Sequence, residues 1–381
     1  KTFYVVNINS MRIILIFTYG ISLKNWHETG IYEREMLFYQ KLEEKYNISF
    51  TFLTYGDKSD EDYFQGFSNS RVLPVYAFIN KSKFKTINLI KSIFIPFKLR
   101  KNLNESDLIK TNQLDGSWVA IILKKILKIP LIVRTGYNIY EFKQLEGKSI
   151  YKKLFYKNLT KLALMYSDLF TTTSNTDKTN ISKLKKINKN IEVIPNWIYE
   201  VYENPVDQRY QNKILTVGRL EEQKNYQSLI ESFQGLNIEI DIVGEGSQKS
   251  ELEKLAQRTG VSVNFLGTFN FFELNRLYSK YKVFVSTSNF EGNPKVILEA
   301  LASGCVVIAK NTPNLRDVIE NKNTGFLYDD SKDISKLVNN VLLDDNIFIE
   351  VSDEGLSKVK NSYHLSSILQ KEVNNYTKLI N

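Results

Sequence analysis

Runs of apolar residues alternate with helix-like patterns along almost the entire chain, and this alternation constrains the fold most. A buried strand at 12–18 is followed by a helix at 28–46 and a second strand at 49–53. Strands that alternate with helices form a parallel sheet with helices on both faces. Further strands are predicted at 72–77, 107–111, 131–134, 169–173 and 192–194, and further helices at 86–101, 116–127, 149–166 and 177–185.

The pattern ends at Pro195-Asn196-Trp197 and then begins again after a polar stretch, 202–211, which is predicted to be a linker. The second series has strands at 213–217, 239–243, 262–266, 282–286 and 306–309, helices at 225–233, 248–258, 271–278 and 294–302, and a helical tail from 331. We therefore predict an α/β protein of two doubly wound, Rossmann-like domains facing across a cleft, with ligands at the carboxyl ends of the strands. The predicted divisions are 11–200, 201–360 and a C-terminal helix, 361–381, that crosses back to the N-terminal domain.

The composition narrows the class of protein. With 381 residues, 43% hydrophobic and 24% charged, the chain fits a soluble globular protein of about two domains. Its single cysteine, Cys305, excludes an internal disulfide, and two histidines are too few for a His/Cys metal cluster. No apolar run is long enough for a membrane span and no secretory signal is present. Having one cysteine fits a reducing compartment, so we expect a cytoplasmic protein, at the inner face of the cell membrane if its basic segments contact lipid. Met11 resembles a natural start, so 1–10 is expected to lie outside the domain.

The net charge of +9 is concentrated in the first half. Seven basic residues fall between 81 and 101 and four lysines between 152 and 161, interleaved with Ile, Leu and Phe. These segments have two interpretations, a peripheral contact with anionic membrane or a solvated lysine face. The sequence alone does not decide between them. No nucleic-acid-binding motif is recognisable, so nucleic acid is not an expected partner.

One helix of the second half carries the most specific chemical pattern. Asn293 is predicted to cap this helix, and Pro294 suits its first turn. Residues 296–302 are apolar on every side, so the helix should be buried with Glu299 as its one charge. A buried carboxylate costs roughly several kcal/mol unless donors satisfy it. With Glu291 just before the helix, the pattern favours an anionic ligand that also carries hydroxyls, such as a nucleotide sugar.

The loop after the first strand of the second series contains two cations. Gly218 allows a tight turn there, and Arg219 and Lys224 can converge on one side of the loop. A guanidinium and an ammonium group together can neutralise a diphosphate without a metal ion. Alternatively, the two cations pair with Glu221 and Glu222 of the same loop.

Two further turns of the second half each have two interpretations. Gly244 allows either close packing or the close approach of a ligand. Gly267 and Thr268 either present backbone groups to the edge of a planar base or form an ordinary turn.

The first half offers candidates for contacts with an acceptor. His27 and Gly30 follow the first strand at a predicted helix start, where backbone N–H groups can approach phosphate. Arg134 and Tyr137 follow a middle strand at the predicted edge of the cleft, where an arginine can contact an anion or an acceptor. His27, Arg134 and Tyr137 are the acceptor-side candidates, and for each a purely structural role remains open.

Together these motifs resemble glycosyltransferase family 4, a large group of retaining enzymes with the GT-B fold. The resemblance covers about 213–327 and rests on the Gly-Arg…Lys-Asn loop, the Val-Gly-Glu-Gly and Phe-Leu-Gly turns, and Glu291 and Glu299 with seven residues between them. The first half is similar only in outline. Thr29-Gly30 stands where the family often has Gly-Gly, and Asn196-Trp197 where it often has Asn-Gly.

The resemblance implies a role for each motif. Arg219 and Lys224 would bind the donor diphosphate, and Glu299 would hold the ribose hydroxyls. Glu291 would contact the donor sugar near the reacting carbon, and Glu291, Arg219 and Lys224 are the implied catalytic residues. The family usually requires no metal or other cofactor, and the departing diphosphate helps to take the acceptor's proton. The remaining implied donor-binding residues are Gly30, Gly218, Gly244, Gly267, Thr268, Gly292, Asn293, Pro294 and Lys295.

The leading hypothesis is therefore a retaining hexosyl- or N-acetylhexosaminyltransferase. It would use a nucleoside-diphosphate sugar, with uridine diphosphate the expected carrier, and a glycan or lipid-linked acceptor in bacterial surface polysaccharide synthesis. Two alternatives remain: a sugar-nucleotide epimerase of similar fold, and a catalytically inactive glycan-binding or scaffold protein.

Overall fold

The computed structural model describes residues 10–184, 190–201 and 204–381. The chain forms two compact units. The first unit holds the residues up to Thr172, together with Lys178–Ile194 and Leu369–Asn381, and the second holds Thr173–Asp177 and Pro195–Ile368.

The first unit is built on a seven-stranded sheet in which every neighbouring pair of strands is parallel. The strand order is β3-β2-β1-β4-β5-β6-β7. Strands β2 and β3 are added on one side of β1, and strands β4 to β7 are added in turn on its other side. The strands are β1 (Met11–Ile16), β2 (Ile48–Thr54), β3 (Arg71–Pro74), β4 (Leu108–Thr111), β5 (Leu131–Arg134), β6 (Leu169–Thr172) and β7 (Ile191–Val193).

Eight helices lie between or after these strands in the described residues of this part of the chain. They are α1 (Leu23–Glu28), α2 (Tyr32–Tyr46), α3 (Lys85–Ser92), α4 (Ile95–Leu103), α5 (Ser117–Leu127), α6 (Ile139–Leu145), α7 (Ile150–Tyr166) and α8 (Asn175–Ser182).

The second unit repeats the plan with six parallel strands in the order β10-β9-β8-β11-β12-β13. Consecutive residues of β8, such as Ile214 and Leu215, enter separate buried clusters, as expected for a parallel sheet that is covered on both faces. The strands are β8 (Tyr210–Val217), β9 (Glu239–Val243), β10 (Val263–Gly267), β11 (Tyr281–Ser286), β12 (Val306–Lys310) and β13 (Phe326–Tyr328).

Seven helices complete this half. They are α9 (Tyr226–Ser232), α10 (Lys249–Thr259), α11 (Phe271–Tyr278), α12 (Lys295–Ala302), α13 (Asp333–Leu343), α14 (Asp345–Tyr363) and α15 (Leu365–Ile380). The two strand orders confirm the predicted fold class of two doubly wound, Rossmann-like sheets.

Two long predicted helices are each interrupted. The prediction 28–46 is wrong at its start: α1 begins at Leu23, and α2 begins only at Tyr32, after Gly30 at φ +69°. The prediction 86–101 is divided into α3 and α4, and Pro96, which lacks a backbone N–H, lies in the first turn of α4. The predicted end of α8 at 185 lies outside the described residues.

Among the α-helices and strands of the described residues, α1, α6 and β13 are absent from the sequence prediction, and all three are short. The predicted strand 72–77 ends at Pro74 and continues as a short 3₁₀ helix, Val75–Ala77. Within the described residues, no helix combines the length and the hydropathy that a membrane-spanning segment requires.

The C-terminal part of α15 is fastened to the first unit by a buried ion pair. Lys110 Nζ lies 2.6 Å from a carboxylate oxygen of Glu372 and 2.9 Å from the hydroxyl of Tyr376. The side chains of Lys110 and Glu372 are only 1% and 2% exposed. Burial lowers the pKa of Lys110, and the Glu372 carboxylate opposes that shift. Each charge can therefore remain buried because the other compensates it.

Replacing one member of this pair should destabilise the protein more than replacing both. Lys110→Met leaves the Glu372 carboxylate buried without its counter-charge, so the free energy of unfolding should fall by about 3–5 kcal/mol. Lys110→Met/Glu372→Leu should recover most of that loss, because apolar side chains of similar volume often replace a buried pair at little cost. Urea unfolding measures both variants, and equal losses would contradict the explanation.

Candidate functional site

The candidate site lies at the carboxyl edge of the second sheet, where β8 and β11 are neighbours. From β8 the chain proceeds to β9 on one side, and from β11 to β12 on the other, so the strand order reverses at this point. In open α/β sheets this reversal leaves a crevice in which ligands bind. The loops that follow β8 and β11 contain all three implied catalytic residues, Arg219, Lys224 and Glu291.

These two loops are tied together by hydrogen bonds. The Asn289 N–H donates to the Gln223 carbonyl at 2.9 Å, and Gln223 Nε2 donates to the Phe290 carbonyl at 2.8 Å. Thr287 Oγ1 also donates to the Lys224 carbonyl at 2.8 Å. The loops after β8 and β11 therefore behave as one structural element.

An ion pair completes this connection. Lys224 Nζ lies 2.5 Å from Glu291 Oε1, and the two side chains are 15% and 10% exposed. Lys224 thus pairs with Glu291 of the other loop. Glu221, a partner considered from the sequence, instead accepts from the backbone and hydroxyl of Ser247, and these hydrogen bonds lower the pKa of its carboxyl. Arg219 lies exposed on the same loop as Lys224.

Gly244 has a packing role that the sequence left open. Its φ is +142°, and a Cβ there would lie 2.0 Å from the Gly218 carbonyl oxygen. The ends of β8 and β9 therefore approach more closely than a side chain would allow. This contact supports the packing interpretation of the Val-Gly-Glu-Gly turn.

The start of α12 differs from the prediction. Asn293 does not cap the helix: its side-chain oxygen accepts from the Asn196 N–H at 2.8 Å, and its carbonyl accepts from Asn196 Nδ2 at 2.5 Å. The capping prediction is wrong because Pro294 occupies the N-cap position, and no side chain caps the helix. Gly292, Asn293 and Pro294 are buried and Lys295 is half-buried, so this backbone is held firmly.

Glu299 lies within α12 and is 6% exposed. Its neighbours in the helix, Leu298 and Ala300, are fully buried, so the helix is buried around its one charge, as the sequence indicated. The buried charge and the uncapped helix start are thus on the same short helix.

The turn after β10 is already engaged in the fold. The Gly267 carbonyl accepts from the Gly244 N–H at 2.7 Å, while Thr268 is exposed. The Gly267 carbonyl thus holds two strand ends together, and the adjacent Thr268 faces solvent.

The candidates of the first half all lie in the first unit. His27 is exposed in the last turn of α1, with its ring 5.3 Å from that of Tyr63. Gly30 follows the end of α1, and its N–H donates to the His27 carbonyl at 3.1 Å, so this N–H is already engaged within the chain. Arg134 Nη1 donates to the Asn112 carbonyl at 3.3 Å, and the Tyr137 ring packs 4.3 Å from that of Phe142.

Several amides that support the site were missed by the sequence analysis. Asn314 Nδ2 donates to the Glu291 carbonyl at 2.6 Å, and Lys310 Nζ donates to Asn289 Oδ1 at 2.8 Å. Asparagine is abundant throughout this chain and follows no helical or strand periodicity, so no sequence signal distinguishes these residues. Among the described residues, no group of three His, Cys, Asp or Glu side chains is arranged to hold a metal ion.

The region that contains the site matches a known protein family. Residues 204–353 match the family described as Glycosyl transferases group 1. Over 288 residues, the chain is 26% identical to GalNAc-alpha-(1->4)-GalNAc-alpha-(1->3)-diNAcBac-PP-undecaprenol alpha-1,4-N-acetyl-D-galactosaminyltransferase of Campylobacter jejuni. That alignment covers 72% of this chain and 76% of the relative.

Two solved structures share the fold. Anabaena Alr3699/HepE in complex with UDP and glucose is 16% identical, with a TM-score of 0.75 over 97% of this chain and 100% of its own. Sucrose-phosphate synthase from Thermosynechococcus elongatus is 18% identical, with a TM-score of 0.79 over 97% and 99% of the two chains. These likenesses confirm the predicted GT-B fold class, and the family match supports the prediction of a glycosyltransferase.

The packing role of Gly244 can be measured against a glycine with free space around it. Gly260 also has a positive φ, +72°, but no heavy atom lies within 4 Å of the position of an added Cβ. Gly260→Ala should therefore lower the free energy of unfolding only by the backbone strain, about 1–2 kcal/mol. Gly244→Ala should destabilise more, because its methyl group meets the Gly218 carbonyl. Urea unfolding compares them, and equal costs would contradict the packing role.

Proposed function

We propose that this protein is a retaining glycosyltransferase that transfers a hexosyl or N-acetylhexosaminyl group from a nucleoside-diphosphate sugar. The observation that carries the proposal is the ion pair between Lys224 and Glu291 at the point where the strand order reverses. It places a cation and a carboxylate from two loops beside the start of α12. An anionic ligand with hydroxyl groups is the substrate class that this combination suits.

Lys224 and Arg219 are proposed to hold the diphosphate. An ammonium group has three N–H donors, so the contact with Glu291 leaves Lys224 able to donate to phosphate oxygens as well. Arg219, exposed on the same loop, adds a planar fork that matches phosphate geometry. With two cations to balance the diphosphate, the proposed reaction needs no metal ion or other cofactor.

Glu299 is proposed to bind the ribose. Two adjacent ribose hydroxyls can donate to the two oxygens of one carboxylate, and Glu299 lies on the helix that begins four residues after Glu291. The start of the same helix has no side-chain cap, and its N-terminal dipole favours the negative charge of the phosphates. The buried backbone at Gly292 and Asn293 would then face the donor sugar.

Glu291 is proposed to make two contacts, one with Lys224 and one with the donor sugar. It holds Lys224 in place through the 2.5 Å contact and would also accept from a hydroxyl of the donor sugar. In the reaction, the bond between the anomeric carbon and the diphosphate oxygen breaks, and the acceptor oxygen forms its bond on the same face. The acceptor's proton passes to the departing diphosphate, whose developing charge the two cations stabilise.

The donor and acceptor classes follow by analogy. Uridine diphosphate is the proposed carrier, supported by the similar structure determined with UDP and glucose. A glycan or lipid-linked acceptor in bacterial surface polysaccharide synthesis is proposed because the Campylobacter jejuni relative is named for a diNAcBac-PP-undecaprenol acceptor. His27, Arg134 and Tyr137 of the first unit remain the proposed acceptor-side residues. We place the reaction in the cytoplasm.

Loss of the Lys224 ammonium group should strongly lower the rate of transfer in a protein that circular dichroism shows to be folded. Removing one group that stabilises developing negative charge lowers kcat by about 10²–10³-fold, and we expect that loss for Lys224→Met. A thermal-shift screen of candidate nucleotide sugars first identifies the donor that binds. The rate at which nucleoside diphosphate is released from that donor then measures kcat. Lys224→Arg, which retains the charge, should keep more activity.

Lys213→Met is the matched control, because Lys213 also pairs with a glutamate, Glu239, which is the first residue of β9 and so lies away from the carboxyl edge of the sheet. Full activity of Lys224→Met, or an equal loss in Lys213→Met, would contradict the assignment. Conversion of the donor without any acceptor would indicate an epimerase instead. Nucleotide binding with no turnover of any donor would indicate an inactive binding protein.

A further inference from the structure

A basic and apolar surface on the first unit is not used by the proposed reaction. Of the 22 large hydrophobic side chains exposed among the described residues, 15 lie between Phe78 and Met165. That segment is less than a quarter of the chain, so the exposed hydrophobic side chains are concentrated there. We name the surface formed by the exposed residues of α3, α4 and α7, with the N-cap residues Phe84 and Phe94, the α3–α7 surface; its most exposed apolar members are Phe84, Ile90, Phe94, Ile150 and Tyr151.

Helix α3 is packed with its polar side inward. Its buried residues are Asn88 and Ser92, whereas Ile87, Leu89 and Ile90 are exposed. The polar side is satisfied: Asn88 accepts from the Ser82 N–H and donates to the Ser82 carbonyl, at 2.7 and 2.8 Å. An amphipathic helix of a globular protein normally buries its apolar stripe, so this orientation leaves an apolar face without a partner in the described chain.

The segments of this surface are neighbours in space. The indole N–H of Trp118, on α5, donates to Ser92 Oγ at 2.9 Å, which fixes the end of α3 against it. The same indole ring lies 6.4 Å from the ring of Phe155 on α7. The end of α3 and the exposed Phe155 of α7 therefore both adjoin the side chain of Trp118.

The charge of this surface has one sign. No aspartate or glutamate occurs between Asp62 and Glu105, a stretch with seven basic residues from Lys81 to Lys101. Helix α7, Ile150–Tyr166, adds four lysines and no acidic residue. Positive charges thus surround the apolar side chains throughout.

We propose that the α3–α7 surface docks on an anionic lipid bilayer. Aliphatic and phenylalanine side chains can enter the acyl region while the lysines extend to the phosphate groups. A protein partner is less compatible, because lysines are depleted from the centre of protein interfaces. A second copy of the chain would bring two positive surfaces together. The proposal stands independently of the sugar transfer proposed above, since none of these residues belongs to the candidate site.

Vesicle sedimentation tests the proposal without any sugar donor. The protein should bind vesicles of phosphatidylcholine with phosphatidylglycerol far more tightly than vesicles of phosphatidylcholine alone, and salt should weaken the binding by screening. Ile90→Ser/Phe94→Ser should lower the partition coefficient about tenfold or more, because two apolar side chains lose their burial. Lys98→Gln/Lys101→Gln should also lower it on the order of tenfold or more, at about fivefold per lysine.

Matched controls lie on the second unit. Leu343→Ser/Ile349→Ser removes two exposed apolar side chains and Lys254→Gln/Lys336→Gln removes two exposed lysines, and both should leave binding unchanged. Circular dichroism and thermal unfolding establish that every variant is folded. Equal binding to both vesicle types, or equal effects of test and control variants, would overturn the proposal. If the wild-type protein bound no vesicles but self-associated, and Ile90→Ser/Phe94→Ser abolished that self-association, the surface would belong to a contact with a second copy. That result would also overturn the proposal.

Discussion

The ion pair of Lys224 and Glu291 is the interaction on which the candidate site depends. It joins the loop after β8 to the loop after β11, and both side chains are largely withdrawn from water. A charge in such a position needs a partner, so the two loops are held in one arrangement. The hydrogen bonds from Gln223 and Thr287 reinforce the same connection. The pair therefore positions a cation where an anionic ligand would meet the start of α12.

The fold explains why these two loops meet. In a doubly wound sheet the chain reverses its direction of travel once, and at that point no helix crosses over the carboxyl ends of the two central strands. In the second unit those strands are β8 and β11. Close packing at Gly244 brings the neighbouring β9 turn against the same loop. Sequence positions far apart, such as 224 and 291, thus converge because of the strand order.

Much of this architecture could be predicted from the sequence, because fully buried parallel strands read as uninterrupted apolar runs. The predicted limits of β5, β9 and α11 agree with the structure to the residue. The helix pattern failed where a local break intervened, as at Gly30 and Pro96. For the site, the spacing of Glu291 and Glu299 identified the helix, but not the partner of Lys224. The capping role of Asn293 was wrong because a tertiary contact, with Asn196, competes for its side chain.

A crystal structure of the protein with uridine diphosphate tests the central claim most directly. The account predicts phosphate oxygens at roughly 3 Å from Lys224 Nζ and from the Arg219 guanidinium, and ribose hydroxyls on the carboxylate of Glu299. A diphosphate bound elsewhere, with Lys224 still contacting only Glu291 and its own loop, would contradict it.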